Sequence, residues 1–136
     1  MPDPVVLNCP CGGVTLTLSA PPVTTFYCHC RDCRLVHGAA YTLEAMVPAA
    51  SVAIDGETRT FTLKTTPRVF CARCGSRLTA DLPSAGLRGV NGVLLPDFRA
   101  EMHINCESAI SPVIDKLPHY LRMPAAFGGD GTLAEW

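Results

Sequence analysis

The chain has 136 residues, a formal net charge of −1 and 48% apolar residues, and 8 of its residues are cysteine. That length fits one domain which buries roughly two-thirds of its unfolded surface, so a core forms without crosslinks. The near-zero charge gives no electrostatic footprint for nucleic acid or an anionic membrane. The start, Met1 to Asn8, lacks a basic region and a long apolar run, and the most apolar stretch, 35–54, is broken by His37, Glu44 and Pro48. Neither an export leader nor a membrane span is expected, and the expected location is cytoplasmic. Thiols kept reduced there favour metal binding over disulfides, and a bridge within a Cys-x-Cys pair would be strained.

In chain order, Cys9-Pro10-Cys11-Gly12-Gly13 makes a glycine turn. Val14 to Leu18 follows it with apolar residues at every second position, a half-buried strand. Pro21-Pro22 ends that strand, and Val23 to Tyr27 predicts a second, delivered directly into Cys28-His29-Cys30-Arg31-Asp32-Cys33. Arg31 to His37 predicts a short helical turn stopped by Gly38, and Ala39 to Val47 a strand. Ser51 to Ile54 and Arg59 to Leu63 flank Asp55-Gly56, which predicts a hairpin. Arg68 to Phe70 enters the knuckle Cys71-Ala72-Arg73-Cys74-Gly75, and Ser76 to Ala80 leaves it. Gly86 to Leu95 and Glu101 to Asn105 predict two more strands, and beyond Ser111-Pro112 the chain reads as irregular. With 12 prolines and 11 glycines scattered throughout, no repeat and no long linker, the expectation is one mostly β domain over residues 1–136 with few or no helices.

The cysteine arithmetic carries the chemistry. Cys9, Cys11, Cys71 and Cys74 lie in two glycine turns, and four thiolates close a tetrahedral zinc site that contributes folding energy and no reactivity. Cys28, Cys30 and Cys33, at a strand end and the turn after it, would hold a second zinc through three sulfurs and leave a fourth position open. Such an ion is a poor generator of hydroxide and a good holder of another soft sulfur ligand. Arg31 and Arg34, interleaved with those ligands, would offset negative charge and attract a carboxylate-bearing thiol. Strand alternation turns His29 away from the sulfurs on either side of it, toward a surface or supporting role. His37 and His103 read as ordinary polar or core histidines, Asp32 as a solvated turn carboxylate, and Arg73 and Arg77 as a solvated face. Cys106 reads as a buried thiol. Were it instead the fourth ligand, both sites would be closed, and the chain would be a non-enzymatic zinc-stabilised binding module.

Cys9-x-Cys11-Gly12, Cys28-x-Cys30-x-x-Cys33 and Phe70-Cys71-x-x-Cys74-Gly75-Ser76 resemble the pattern of the glutathione-dependent formaldehyde-activating enzyme family, which includes centromere protein V. Arg34 to Tyr41, His103-Ile104-x-x-Glu107-Ser108 and Asp115-x-Leu117-Pro118 extend the resemblance, over about residues 7 to 125. It implies a β-tent fold of small antiparallel sheets meeting near a zinc. It also implies a structural zinc on Cys9, Cys11, Cys71 and Cys74, and an activity-linked zinc on Cys28, Cys30 and Cys33, which makes two Zn²⁺ per chain. The implied activity is that of a carbon–sulfur lyase of the S-(hydroxymethyl)glutathione synthase type, with glutathione and a small aldehyde as partners. No glutathione pocket is legible beyond Arg31, Arg34 and His37, and no chemical role is evident for Glu107 or Ser108.

Overall fold

A computed structural model describes residues 3–136; Met1 and Pro2, the first residues of the stretch expected not to be a leader, lie outside it. The chain is mostly β. In order it forms β1 (Val5–Asn8), β2 (Val14–Leu18), β3 (Thr24–Cys28), α1 (Arg31–His37), β4 (Thr42–Pro48) and β5 (Val52–Gly56). There follow β6 (Thr58–Leu63), β7 (Thr66–Cys71), β8 (Arg77–Leu82), β9 (Leu87–Asn91) and β10 (Met102–Ile104), with short 3₁₀ turns between. The chain divides into two compact units: residues up to Thr24 with Ala45–Phe98, and Thr25–Glu44 with Arg99–Trp136. No helix among the described residues is long and apolar enough to cross a membrane.

The first unit holds the apolar core. In β2, Val14, Leu16 and Leu18 are buried while Thr15 and Thr17 are half-buried, the period-2 pattern of a strand with one face packed. β2 is the centre of an antiparallel sheet in the order β1-β2-β5, with Leu16 opposite Leu7 on one side and Ile54 on the other. The strands β9-β8-β7-β6 form an antiparallel run, and Val69, Leu78 and Val90 from it join Leu7, Leu16, Val47 and Val52 in one buried cluster. Cys9 and Cys71 belong to that same cluster, so two sulfurs sit at the margin of the core.

The Asp55-Gly56 hairpin does not form. β5 pairs with β2 and β6 pairs with β7, so the two flanking runs are neighbours in sequence only. Gly56 serves another purpose: its φ is +131°, and a side chain there would collide with the Gly13 carbonyl. The glycine permits close approach of two backbones instead of a primed turn. The hairpin that does form joins β6 to β7 through Lys64-Thr65, with Lys64 at φ +57°, and nothing in those residue types announces it. Arg77 also departs from expectation. It is buried, its Nη1 donating to the Gly89 carbonyl at 3.2 Å, so it braces the sheet and is no part of a solvated face. Arg73 is exposed, as expected.

In the second unit, β3 and β10 pair in parallel, with Tyr27 opposite His103 and Cys28 opposite Ile104. The pairing continues one step further through the His29 N–H, which donates to the Ile104 carbonyl at 3.1 Å. The expected helical turn is present as α1, ended by Gly38 in the left-handed region. The tail is irregular but pinned. The His103 N–H donates to the Pro118 carbonyl at 2.8 Å, the Tyr120 N–H donates to the His103 carbonyl at 2.9 Å, and Tyr120 bridges Leu133.

Candidate metal centres

The first centre is built from two glycine turns of the same design. After Cys11, Gly12 takes φ +74° and its N–H donates to the Cys9 carbonyl; after Cys74, Gly75 takes φ +75° and its N–H donates to the Cys71 carbonyl. Only glycine adopts that backbone cheaply, and it curls each turn so that its pair of sulfurs points one way. The four sulfurs all lie within 4.8 Å of one another. Cys9 and Cys11 sulfurs are 3.5 Å apart, and Cys11 and Cys71 sulfurs 3.7 Å. Tetrahedral ligation with bonds of about 2.3 Å puts neighbouring sulfurs about 3.8 Å apart, and all eight thiols are free rather than bridged. Backbone N–H groups turn toward these sulfurs: Val14 to Cys9 and Gly13 to Cys11, each at 3.3 Å. They stabilise thiolate charge. Hydrogen bonding with Ser76 holds the Cys74 thiol down to about 6. The donor set fits a thiolate-bound ion.

The second centre gathers three sulfurs, of Cys28, Cys30 and Cys33, again all within 4.8 Å. Cys28 ends β3, Cys30 caps α1 and Cys33 lies in its first turn. The Cys30 sulfur accepts from the Cys33 N–H at 3.2 Å, doing the work an N-cap oxygen usually does. The Cys33 and Cys28 sulfurs are 3.6 Å apart, and Asn105 Nδ2 donates to Cys28 Sγ at 3.5 Å. Crowding against Cys30 and Cys33, together with burial, pushes the Cys28 thiol well above its ordinary value. Three sulfurs so close cannot share negative charge without a cation among them. The donor set therefore fits a soft or borderline metal ion. Cys106 is buried, belongs to neither sulfur group, and has its thiol pushed up to about 11 by burial, with Asp115 adding to the shift.

A third group was not read from the sequence. His29 is fully buried, which removes the surface alternative and leaves the supporting one. Its Nε2 lies 2.9 Å from His103 Nδ1; His103 Nε2 lies 2.7 Å from Asp115 Oδ2, and His119 Nε2 lies 2.9 Å from Asp115 Oδ1. Burial, with the neighbouring His103 adding to it, holds His29 down to about 4. Burial raises the Asp115 carboxyl, but hydrogen bonds from His103 and the Leu117 N–H outweigh it and leave the group below its ordinary value. Tyr41 and Trp136 pack on the His29 ring with centroids 4.8 and 5.5 Å away.

A cleft of about 320 Å³ lies in the second unit, lined by Arg31, Arg34, Leu35, Ala39 and Ile110 among others. Its two arginines flank Cys33 on α1, and the Arg34 Nε is buried without a hydrogen-bond partner. His37 is not in the lining.

The model of the glutathione-dependent formaldehyde-activating enzymes matches residues 5–109. The chain belongs to that family. A crystal structure of a Rhodobacter sphaeroides protein shares the fold, with a TM-score of 0.55 and 21% identity over 70% of this chain and 91% of that one. No curated protein matches the chain. In this member of the family, seven of the eight cysteines stand in the two sulfur groups. Local spacing gathers the sulfurs within each turn, and the fold brings Cys11 to Cys71, a separation of 60 residues. Asp115 and His119 come together through the pinned tail, for which only the four-residue offset between them offered a signal.

Proposed function

We propose that this member of the glutathione-dependent formaldehyde-activating enzymes is a zinc-dependent carbon–sulfur lyase. It would join a small thiol to a small aldehyde, with glutathione and formaldehyde as the pair the family name suggests. Cys9, Cys11, Cys71 and Cys74 hold a structural zinc, and Cys28, Cys30 and Cys33 a reactive one. The observation that carries the reading is the contrast between a four-sulfur set and a three-sulfur set from which Cys106 stands apart. With no fourth protein thiol in the second set, a zinc held there would offer a position for an incoming thiol and would favour its deprotonated form.

The chain's own residues do the rest. Arg31 and Arg34 present guanidinium groups to a cleft large enough for part of a tripeptide, and each can pair with a substrate carboxylate. Asn105 supports the Cys28 sulfur and fixes where it stands. In the synthetic direction the sulfur lone pair forms the C–S bond as the carbonyl π pair moves to oxygen. The proton lost by the thiol is regained as the hydroxyl. Holding both reactants together is the main gain, since the addition also proceeds unaided.

The test is the rate of adduct formation above the spontaneous rate, with two zinc ions bound per chain. Acceleration is expected, and Cys30→Ser should abolish it. Arg34→Ala should raise KM for glutathione about tenfold with little change in kcat, the loss of one charge-assisted hydrogen bond. An unaccelerated reaction with both zincs bound would overturn the glutathione reading.

A further inference from the structure

The two sulfur groups leave His103, Asp115 and His119 unexplained. Both rings are buried, and three of their donor atoms lie within 4.8 Å of one another. The Asp115 side chain is 32% exposed, so the group is open to solvent on one side. Two imidazoles on one carboxylate can act as simple N–H donors until an ion takes the place of those protons, and His103 does so at 2.7 Å. His119 does not. Its Nε2 is buried 2.9 Å from Oδ1, yet it makes no hydrogen bond, because the ring nitrogen is not directed at that oxygen. Leaving such a nitrogen unsatisfied costs about 1–3 kcal/mol. A nitrogen beside a carboxylate but aimed past it is what results when both converge on a third body.

The spacing says what body fits. Ligand bonds of about 2.1 Å meeting at right angles put adjacent donors about 3.0 Å apart, and tetrahedral ones about 3.4 Å. The 2.9 Å and 2.7 Å separations both lie nearer the right-angled case. The outer partner is present as well. A metal-bound imidazole ordinarily engages its other nitrogen, and His103 Nδ1 lies 2.9 Å from His29 Nε2. The His103 and His119 ring centroids are 4.6 Å apart, close enough for two adjacent ligands of one ion, and Trp136 packs on His119 at 5.0 Å.

We propose that His103, Asp115 and His119 form a binding site for one divalent first-row transition ion that favours six-coordination, of the Fe²⁺ or Co²⁺ kind. Two imidazoles and one carboxylate would supply three donors, and the remaining positions would be open to water or a ligand. The site is separate from the sulfur groups and does not depend on the lyase reading.

The test begins with full-length protein carrying two Zn²⁺ per chain, the sulfur sites filled and no excess present, then adds Co²⁺ without oxygen. One further equivalent per chain is expected, with the weak visible bands of nitrogen and oxygen ligation and no intense sulfur-to-cobalt bands. Asp115→Asn and His119→Gln should each weaken it at least tenfold while the zinc content stays the same. No further equivalent, sulfur-to-cobalt bands, or undiminished binding in both variants would overturn the proposal. A second measurement needs no variant. With Zn²⁺ in excess of the sulfur sites, ¹⁵N spectra of the wild-type histidines should show Nε2 of His103 and His119 without protons. Protons retained on both nitrogens would overturn it too.

Discussion

On the proposed ligation, Cys74 holds zinc and Cys106 does not. Cys74→Ser is expected to remove one zinc equivalent and cost about 3 kcal/mol or more, lowering Tm by roughly 10 °C in a chain of this size. Cys106→Ala should leave the zinc content unchanged and cost about 1 kcal/mol, from the small void left by a buried sulfur. Metal analysis with a thermal melt checks both. Asp130 gives a prediction in pH. Its carboxylate accepts from the Thr132 N–H at 2.9 Å, and that bond lowers its titration below the ordinary carboxylate value. The anchoring is therefore present above the unfolded value near 3.8 and lost as pH falls through the lower, folded one. The Thr132 amide shift, followed by NMR, should titrate with a midpoint below 3.8. The two sulfur groups were legible in part because Cys-x-Cys and Cys-x-x-Cys-Gly gather sulfurs within each turn, whereas the meeting of the first turn with the knuckle depends on the packed core. His29 was half legible: pleat alternation gives the side a ring points to, and says nothing of what covers that side.

Among the elements, β2 and α1 formed where the sequence predicts them, and for the same reason: every local signal agreed. Period-2 burial, the preceding turn and the double proline all bound Val14–Leu18. Gly38 marked the stop of Arg31–His37, and the structure adds Cys30 as the cap at its start. The Asp55-Gly56 signal failed because a glycine can answer a collision as well as a turn, and only the partner strand decides which. Gly56→Ala and Gly86→Ala distinguish the two causes. Gly86 has φ +65° and open space around it, so alanine should cost about 1 kcal/mol, the intrinsic price of that backbone. Gly56→Ala adds the collision with Gly13 and should cost at least about 2 kcal/mol more, read from denaturant midpoints. The turn at Lys64-Thr65 carried no residue signature, which is why one hairpin was missed; Asn91-Gly92 did mark the end of β9, where the Asn91 side chain accepts from the Val93 N–H, and the predicted strand ran past it.

Across the whole molecule, each sulfur group closes inside one compact unit: Cys9, Cys11, Cys71 and Cys74 in the first, Cys28, Cys30 and Cys33 in the second. On the proposed ligation, the two zinc ions should leave separately. A chelator titration with a chromophoric zinc indicator should show two steps in wild-type protein. Cys71→Ser should lose the step that accompanies melting of the first unit, seen as faster amide exchange at Leu16 and Leu78, and keep the other. A single step in wild-type protein would contradict independent sites.

The alternation at Cys28-His29-Cys30 has a chemical result of its own. Successive side chains leave the backbone in opposite directions, so sulfur donors gather on one side and an imidazole feeds the chain of rings on the other. Thiophilic ions such as Cd²⁺ or Cu⁺ should crowd onto the first side, whereas ions that prefer nitrogen and oxygen should collect near the second. Three consecutive residues would thereby act as a divider between two kinds of inorganic chemistry, and a shift of one position in that strand would mix them.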